Sequence, residues 1–397
     1  MAEERMVSVE RALQIMAGHE IPLETIEVTL QKAIGSVLSQ DMICPLDQPP
    51  FRQAAMDGYA VHENGESEFR VIGEVIAGEV SPLEPRPGEA VRIYTGARVP
   101  ATANRIIVQE NIQPGNGTVG MVGPTDTKTH IKSQGEQVKK GSLALPKGAL
   151  LTPAAIGFLA GMGLHTISVH RKPKVGIVTT GNELVTAGKK LGPAQIYEGN
   201  SQMLRAALAE MGITEILNYH ATDNLSATCT ILSQALQAND VLLINGGISV
   251  GQYDLVYTAL KELQVEGLFH KVRQKPGKPL FFGARERKSV LALPGNPTAA
   301  LSCFYIYALP LLQKYMGLAG NGLRYLKANC SVPIENTVGR AQFLTGIYGE
   351  DGSVAPLYEQ GLFGLQAFGR ANALIFVPET VAKVEKGDLA HTFLLTK

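Results

Sequence analysis

The chain has 397 residues, too many for one ordinary core, and a scale of about 150 residues per domain implies two to four domains. Lysine plus arginine equals aspartate plus glutamate at 36 each, which excludes a global basic field for nucleic acid and an acidic solvating tail. The opening Met1-Ala-Glu-Glu-Arg carries no hydrophobic signal core, and no apolar run reaches the ~18 residues of a membrane span, so a cytoplasmic enzyme or binding protein without a membrane partner is expected. Cys44, Cys229, Cys303 and Cys330 stand too far apart for a Cys-x-x-Cys site, and the histidines form no ligand motif, which leaves oxygen ligands if a metal is used.

In chain order, Ser8 caps a helix with Val9, Leu13 and Met16 at helical spacing before Gly18, and a second short helix is predicted over 30–38. From Pro49 to Gly141 short Val/Ile-rich pieces at 69–74, 90–94, 105–108 and 118–122, separated by glycine and proline, predict a mostly-β domain. Helical pattern returns over 150–163, with Thr152 before Pro153 as its start signal. Between Lys174 and Met316 strands (175–179, 215–219, 241–244, 268–272, 289–293) alternate with helices (201–211, 226–236, 253–263, 298–315), the pattern of a doubly wound, mainly parallel α/β domain. After Asn321 short strands at 326–332, 340–347 and 373–377 predict a small closing β domain. The expected division is 1–48 plus 141–173 (helical linker), 49–140 (mostly β), 174–320 (α/β) and 321–397 (β-barrel-like).

Ligands of an open parallel sheet bind beyond the carboxyl ends of its strands. Three loops there are unusual: Thr179-Thr180-Gly181-Asn182-Glu183, Asn245-Gly246-Gly247-Ile248-Ser249-Val250-Gly251, and Leu293-Pro294-Gly295-Asn296-Pro297. The Gly-Gly pair lets backbone N–H groups reach an oxyanion without Cβ interference, and a helix starting near Tyr253 adds its positive end; a plain βα turn is the alternative. Lys271, Lys275 and Lys278 surround a Pro-Gly turn and suit phosphate or another tetrahedral oxyanion, or simply face water. Glu183, Asp223 and Asp254 follow strands and are candidate Mg²⁺ ligands, each also readable as a surface carboxylate. In the N-terminal part, Asp57-Gly58 and Thr95-Gly96 read equally as turn or site.

Six segments in this order, Pro-Pro-Phe…Met56-Asp57-Gly58-Tyr59-Ala-Val, Thr95-Gly96-Ala…Glu110, Thr180-Gly-x-Glu183-Leu, Gly246-Gly-x-Ser-Val-Gly-x-Tyr-Asp254, Lys275-Pro-Gly-Lys278-Pro and Leu293-Pro-Gly-Asn-Pro297, resemble the MoeA family of molybdopterin molybdenumtransferases, related to the C-terminal region of gephyrin. The resemblance covers nearly the whole chain. It implies a four-domain, elongated homodimer performing the last step of molybdenum cofactor assembly: adenylated molybdopterin and molybdate give molybdopterin carrying molybdenum, with AMP released and Mg²⁺ assisting. By this likeness Asp57, Asp254, Lys271 and Lys275 are catalytic. Thr95, Gly96, Thr180, Gly181, Asn182, Gly246, Gly247, Ser249, Gly251, Lys278, Pro294, Gly295, Asn296 and Pro297 bind the pterin nucleotide, and Glu183, Asp223 and Asp254 hold the metal. Asp57 and Thr95 complete the cleft across the dimer, and a molybdopterin adenylyltransferase is the implied transient partner.

Several positions depart from the family pattern. Lys132 stands for arginine, Asn182 and Gln137 for acids, Gln252 where an acid is common, and Ala54 for serine. Amides keep hydrogen bonds but act neither as bases nor as anionic ligands. A catalytically impaired paralogue serving as a molybdopterin-binding or scaffold protein is therefore the alternative, and an enzyme that adenylates molybdopterin or hydrolyses a nucleotide anhydride is the third reading.

Overall fold

A computed structural model describes residues 4, 6–123, 127–248, 255–360 and 364–395, with 359–360 described by backbone alone. Of the expected site residues, Ser249, Gly251, Gln252 and Asp254 lie outside the described residues. The chain forms two compact units: Met1–Val28, Ala33–Ser39 and Ser168–Lys397 make one, Thr29–Lys32 and Gln40–Ile167 the other.

The larger unit holds a six-stranded sheet. Its first four strands, in the order Ile216–Ala221, Val175–Thr180, Val241–Asn245, Lys288–Leu293, are parallel. Phe281–Arg285 and Glu266–His270 add an antiparallel edge. All five residues of Val241–Asn245 are buried, the continuous apolar reading of a strand covered on both faces. Successive side chains alternate between two cores, as the period of two requires. Ile177, Leu243 and Leu291 face Leu204 and Leu208 of the helix Asn200–Glu210 and the helix Val9–Gly18. Val178, Leu242, Ile244 and Val290 face Leu232 and Leu236 of Leu225–Ala238 and Val256 and Leu260 of Leu255–Glu262. The result is the expected doubly wound α/β layer arrangement.

Helix starts follow their side-chain caps. Ser8 Oγ accepts from Arg11 N at 3.2 Å, Asn224 Oδ1 from Ala227 N at 3.1 Å and Asn296 Oδ1 from Ala299 N at 3.1 Å. The last long helix runs as Pro297–Cys303, a wider π turn Phe304–Ala308, and Leu309–Tyr315. Pro310 has no N–H to give and its ring crowds the carbonyl four residues back, so the wider turn relieves the helix where proline forbids the regular bond.

The C-terminal strands close on themselves. Ala341–Tyr348 pairs with Ser353–Pro356, which pairs with Arg324–Cys330, then Leu389–Leu394, then Ala373–Val377, which returns to Ala341–Tyr348. This five-stranded barrel encloses Ala328, Val354, Ile375 and Val377. In the smaller unit a sheet runs Arg105–Val108, Gly58–Val61, Glu89–Ile93, Glu68–Val75, Thr118–Met121, Ile112–Pro114, with buried clusters that include Ile93 and Ile106 in one and Phe69 and Ile107 in the other.

Two local expectations are corrected. The helix predicted over 30–38 is only a 3₁₀ turn, Leu30–Lys32, because Gly35 takes φ +69° and Ser36 N turns back to Ala33 O at 2.9 Å. The strand predicted over 268–272 begins and ends two residues earlier, as Glu266–His270. Its neighbour Phe281–Arg285 escapes period-two reading because Gly283 interrupts it; a Cβ there would lie 2.7 Å from Glu266 O, so the close backbone approach demands glycine.

Candidate functional site

The four parallel strands end in register, Thr180 beside Ala221, Thr179 beside Asn245, and Asn245 beside Leu293. Their exit loops therefore meet on one rim. They surround a cavity of about 1140 Å³, lined by Thr180, Gly181, Glu183, Asp223, Gly246, Gly247, Pro294, Gly295, Asn296 and Pro297 among the expected site residues.

Each loop is tied to the next by side-chain amides. Asn182 N donates to Asp223 Oδ2 at 3.0 Å and Asp223 N donates to Asn182 Oδ1 at 3.2 Å, which clips the first loop to the strand beside it. That bond asks residue 182 only for an acceptor, so the amide serves as a carboxylate would. Asn245 is 4% exposed; its Nδ2 donates to Pro294 O at 2.7 Å and its Oδ1 accepts from Asn200 Nδ2 at 2.6 Å. Asn200 Nδ2 also donates to Gly295 O at 2.8 Å. Gly246 and Gly247 take φ +91° and +68°, and a Cβ on Gly247 would stand 2.4 Å from Val256 Cγ2. Both glycines are thus required by backbone conformation and packing.

Tyr197, Glu198 and Asn200 also line the cavity, and no motif in the sequence analysis singles them out. Glu198 Oε1 accepts from Ser201 N at 2.8 Å and Oε2 accepts from the Ser201 hydroxyl, so the carboxylate caps the helix Asn200–Glu210. An acid three residues before a serine, just ahead of the apolar Leu204 and Leu208, is the available signal.

The lysine loop reaches the cavity through Pro276, Gly277 and Pro279, while Lys271, Lys275 and Lys278 are not among its lining residues. Lys275 lines a separate space of about 310 Å³ with Glu335 and Tyr358. Lys271 holds a left-handed backbone, φ +82°, uncommon for a residue with a Cβ. The turn is anchored from below by Gln274, 1% exposed, whose Nε2 donates to Pro276 O at 3.1 Å and whose Oε1 accepts from Tyr307. Arg273 is engaged by Glu379 at 3.0 Å.

In the smaller unit Asp57 Oδ1 accepts from Thr95 N and from Thr95 Oγ1, both at 2.7 Å. These bonds, the backbone one first, hold the Asp57 carboxyl below the usual carboxylate range. Gly96, φ +87°, follows directly, its carbonyl accepting from Gln53 Nε2 at 3.2 Å.

Among the described residues no group of three His, Cys, Asp or Glu side chains is placed to hold a metal, and no helix is long and apolar enough to cross a membrane. The cavity does supply oxygen donors in Glu183, Glu198 and Asp223. Carboxylate oxygen is the donor type that a hard cation such as Mg²⁺ takes, one or two at a time beside waters and substrate phosphates, rather than as a cage of three.

Comparison with known proteins agrees with this architecture along its length. Residues 7–163 match the family model described as the MoeA N-terminal region (domain I and II), and residues 176–314 match that of a probable molybdopterin binding domain. Molybdopterin molybdenumtransferase 2 of Mycobacterium tuberculosis is 32% identical over 405 residues, covering 98% of this chain and 100% of the relative. The molybdopterin molybdenumtransferase of Haemophilus influenzae is 33% identical over 377 residues, 92% of this chain and 93% of its own. Among solved structures, a molybdopterin biosynthesis MoeA protein of Pyrococcus horikoshii superimposes with a TM-score of 0.83 at 30% identity, covering 99% of this chain and 100% of that one. With likeness of sequence and of fold both running end to end, the chain belongs to the MoeA family of molybdopterin molybdenumtransferases.

Proposed function

We propose that this protein is a transferase of molybdenum cofactor biosynthesis that takes adenylated molybdopterin and molybdate and gives molybdopterin carrying molybdenum, with release of AMP. The observation that carries this reading is the meeting of three glycine- and amide-bearing loops around one cavity of about 1140 Å³ at the carboxyl ends of a parallel sheet. A space of that size exceeds the usual ~300–1,000 Å³ of a small-molecule site and suits a two-ring nucleotide conjugate. Relatives about one-third identical along nearly their full length carry the molybdenumtransferase name.

In this reading the N–H groups at Gly246 and Gly247, the Thr180 hydroxyl and the Gly295-Asn296 backbone hold the phosphates, and the family resemblance assigns Ser249 and Gly251 to the same nucleotide. Lys271, Lys275 and Lys278 bring positive charge to molybdate or to the anhydride. Glu183, Asp223 and Asp254 would hold Mg²⁺, which when bound neutralises charge on the anhydride as AMP leaves. Asp57, kept ionised by Thr95, and Gly96 bind from a second copy of the chain in a homodimer, and the division into 1–48 plus 141–173, 49–140, 174–320 and 321–397 belongs to the same proposal. A molybdopterin adenylyltransferase is the partner that delivers such a substrate.

The test is release of AMP from adenylated molybdopterin by the purified chain. Release is expected to require molybdate, to fall at least about tenfold with chelator and to return with Mg²⁺. Tight binding of the pterin nucleotide without release would favour the impaired paralogue, and AMP transfer from ATP would favour an adenylating enzyme. Light scattering that finds only monomer at micromolar concentration would remove the shared cleft.

A further inference from the structure

Two backbone carbonyls dictate which way two side-chain amides point. Pro294 O can only accept, so Asn245 turns Nδ2 toward it at 2.7 Å and presents Oδ1 on its other side. That Oδ1 and the carbonyl of Gly295 are both acceptors, and Asn200 meets them with its Nδ2 at 2.6 and 2.8 Å. Flipping Asn200 would set its oxygen against two oxygens and lose both bonds. Both Nδ2 protons of Asn200 are therefore engaged within the protein, and its Oδ1 is the atom this cavity-lining side chain has left to offer a ligand.

Beside it stands a second acceptor. Glu198 also lines the cavity, and its carboxylate is held in place by Ser201 through the backbone N–H at 2.8 Å and the hydroxyl. The wall at 198–200 thus offers oxygen acceptors, where the Gly246-Gly247 turn offers backbone donors. Phosphate is disfavoured at such a wall, while an N–H donor is matched by it.

We infer that Asn200, with Glu198 beside it, is the subsite that recognises the exocyclic amine of the substrate's heterocycle, and so sets which end of the ligand enters this side of the cavity. The inference rests on the proposed substrate, since both the adenine and the pterin of adenylated molybdopterin carry such an amine.

Calorimetric titration of the full chain with two matched pairs of probes tests it. AMP is compared with purine riboside 5′-monophosphate, which lacks the amine, and 6-carboxypterin with 6-carboxylumazine, in which oxygen replaces it. Wild type is expected to prefer the amine-bearing member of one pair by about three- to tenfold, the worth of one neutral hydrogen bond, and that pair identifies the ring. Asn200→Ala is expected to bring the ratio of the two affinities within that pair to about one, whereas general loosening of the wall weakens both members alike and leaves the ratio unchanged. Asn200→Ser serves as the second variant, with thermal melting as the control on folding, and deletion of the amine from the ligand needs no variant at all. No preference in either pair, no binding of any of the four probes, or a preference that survives in Asn200→Ala overturns the inference. Failure of the molybdenum-insertion reading looks different: wild type would release no AMP in response to molybdate, whatever its amine preference.

Discussion

Replacing Asn245 with aspartate tests the hydrogen-bond logic of the rim without changing its shape. Asn245 is 4% exposed and donates to Pro294 O at 2.7 Å while accepting from Asn200 at 2.6 Å. In Asn245→Asp an ionised carboxylate would face the Pro294 carbonyl with no proton to give, an uncompensated buried charge of the kind that costs about 3–5 kcal/mol. Protonation caps that penalty, because a neutral carboxyl donates to Pro294 O and accepts from Asn200 much as the amide does. With an unfolded-state value near 3.9, the loss at pH 7 is at most about 4 kcal/mol, from ~1.4 kcal/mol for each pH unit. The sign follows: the variant's folded pKa is raised, so its stability matches wild type below about pH 4 and is lost as pH rises toward the folded value. Urea unfolding of both chains followed by circular dichroism, at about pH 4.5 and pH 7.5, measures the difference. A loss equal at both pH values, or no loss at the higher one, refutes the assignment of Asn245 as an obligatory donor.

Three further outcomes follow from the same geometry. Gly247→Ala combines a φ of +68° with a Cβ 2.4 Å from Val256 Cγ2, and is expected to cost about 2–4 kcal/mol; Gly295→Ala, whose Cβ meets nothing nearer than Gly246 Cα at 3.6 Å, should stay within about 0.5 kcal/mol of wild type yet raise KM by narrowing the cavity. Equal unfolding midpoints for the two variants would contradict this. Thr95→Ala removes the hydroxyl donor at 2.7 Å from Asp57 while keeping the backbone N–H, so the Asp57 titration followed by carboxyl NMR should move upward; an unmoved titration means the hydroxyl adds nothing to what the backbone N–H does. At Asp240, burial raises the pKa, but the Arg171 fork at 2.8 and 3.2 Å and the Lys174 N–H at 2.7 Å outweigh it and leave the carboxyl depressed. The pair therefore stabilises above pH ~4 and that contribution is lost as pH falls through the folded value; Asp240→Asn should cost about 2–3 kcal/mol near neutrality and flatten the acid limb of a stability profile, and an unchanged acid limb would sink the assignment.

The alternation of strands and helices after Lys174 was legible because each element carries its own period and its own caps: Asn224 and Asn296 sit where the chain itself must satisfy free N–H groups. Glu198 and Asn200 were not legible in the same way. Their neighbours in sequence supply only a helix start, whereas the partners that orient Asn200 come from residues 245 and 295, forty-five and ninety-five positions away. The lysine loop shows the opposite limit. Its charges are plain in the sequence, but the cavity is lined by Pro276, Gly277 and Pro279 of that turn, with Gln274 and Tyr307 anchoring it from the core.

Fold class, rim loops and family can all be read from the linear chain, because they depend on local periodicity, turn chemistry and the order of motifs. Which groups share the cavity, and which atom each presents, follows only from packing in three dimensions. Parallel register sets the carboxyl ends of separate strands side by side, and acceptor-only carbonyls from one loop then fix the orientation of amides on another, a constraint that no local pattern contains.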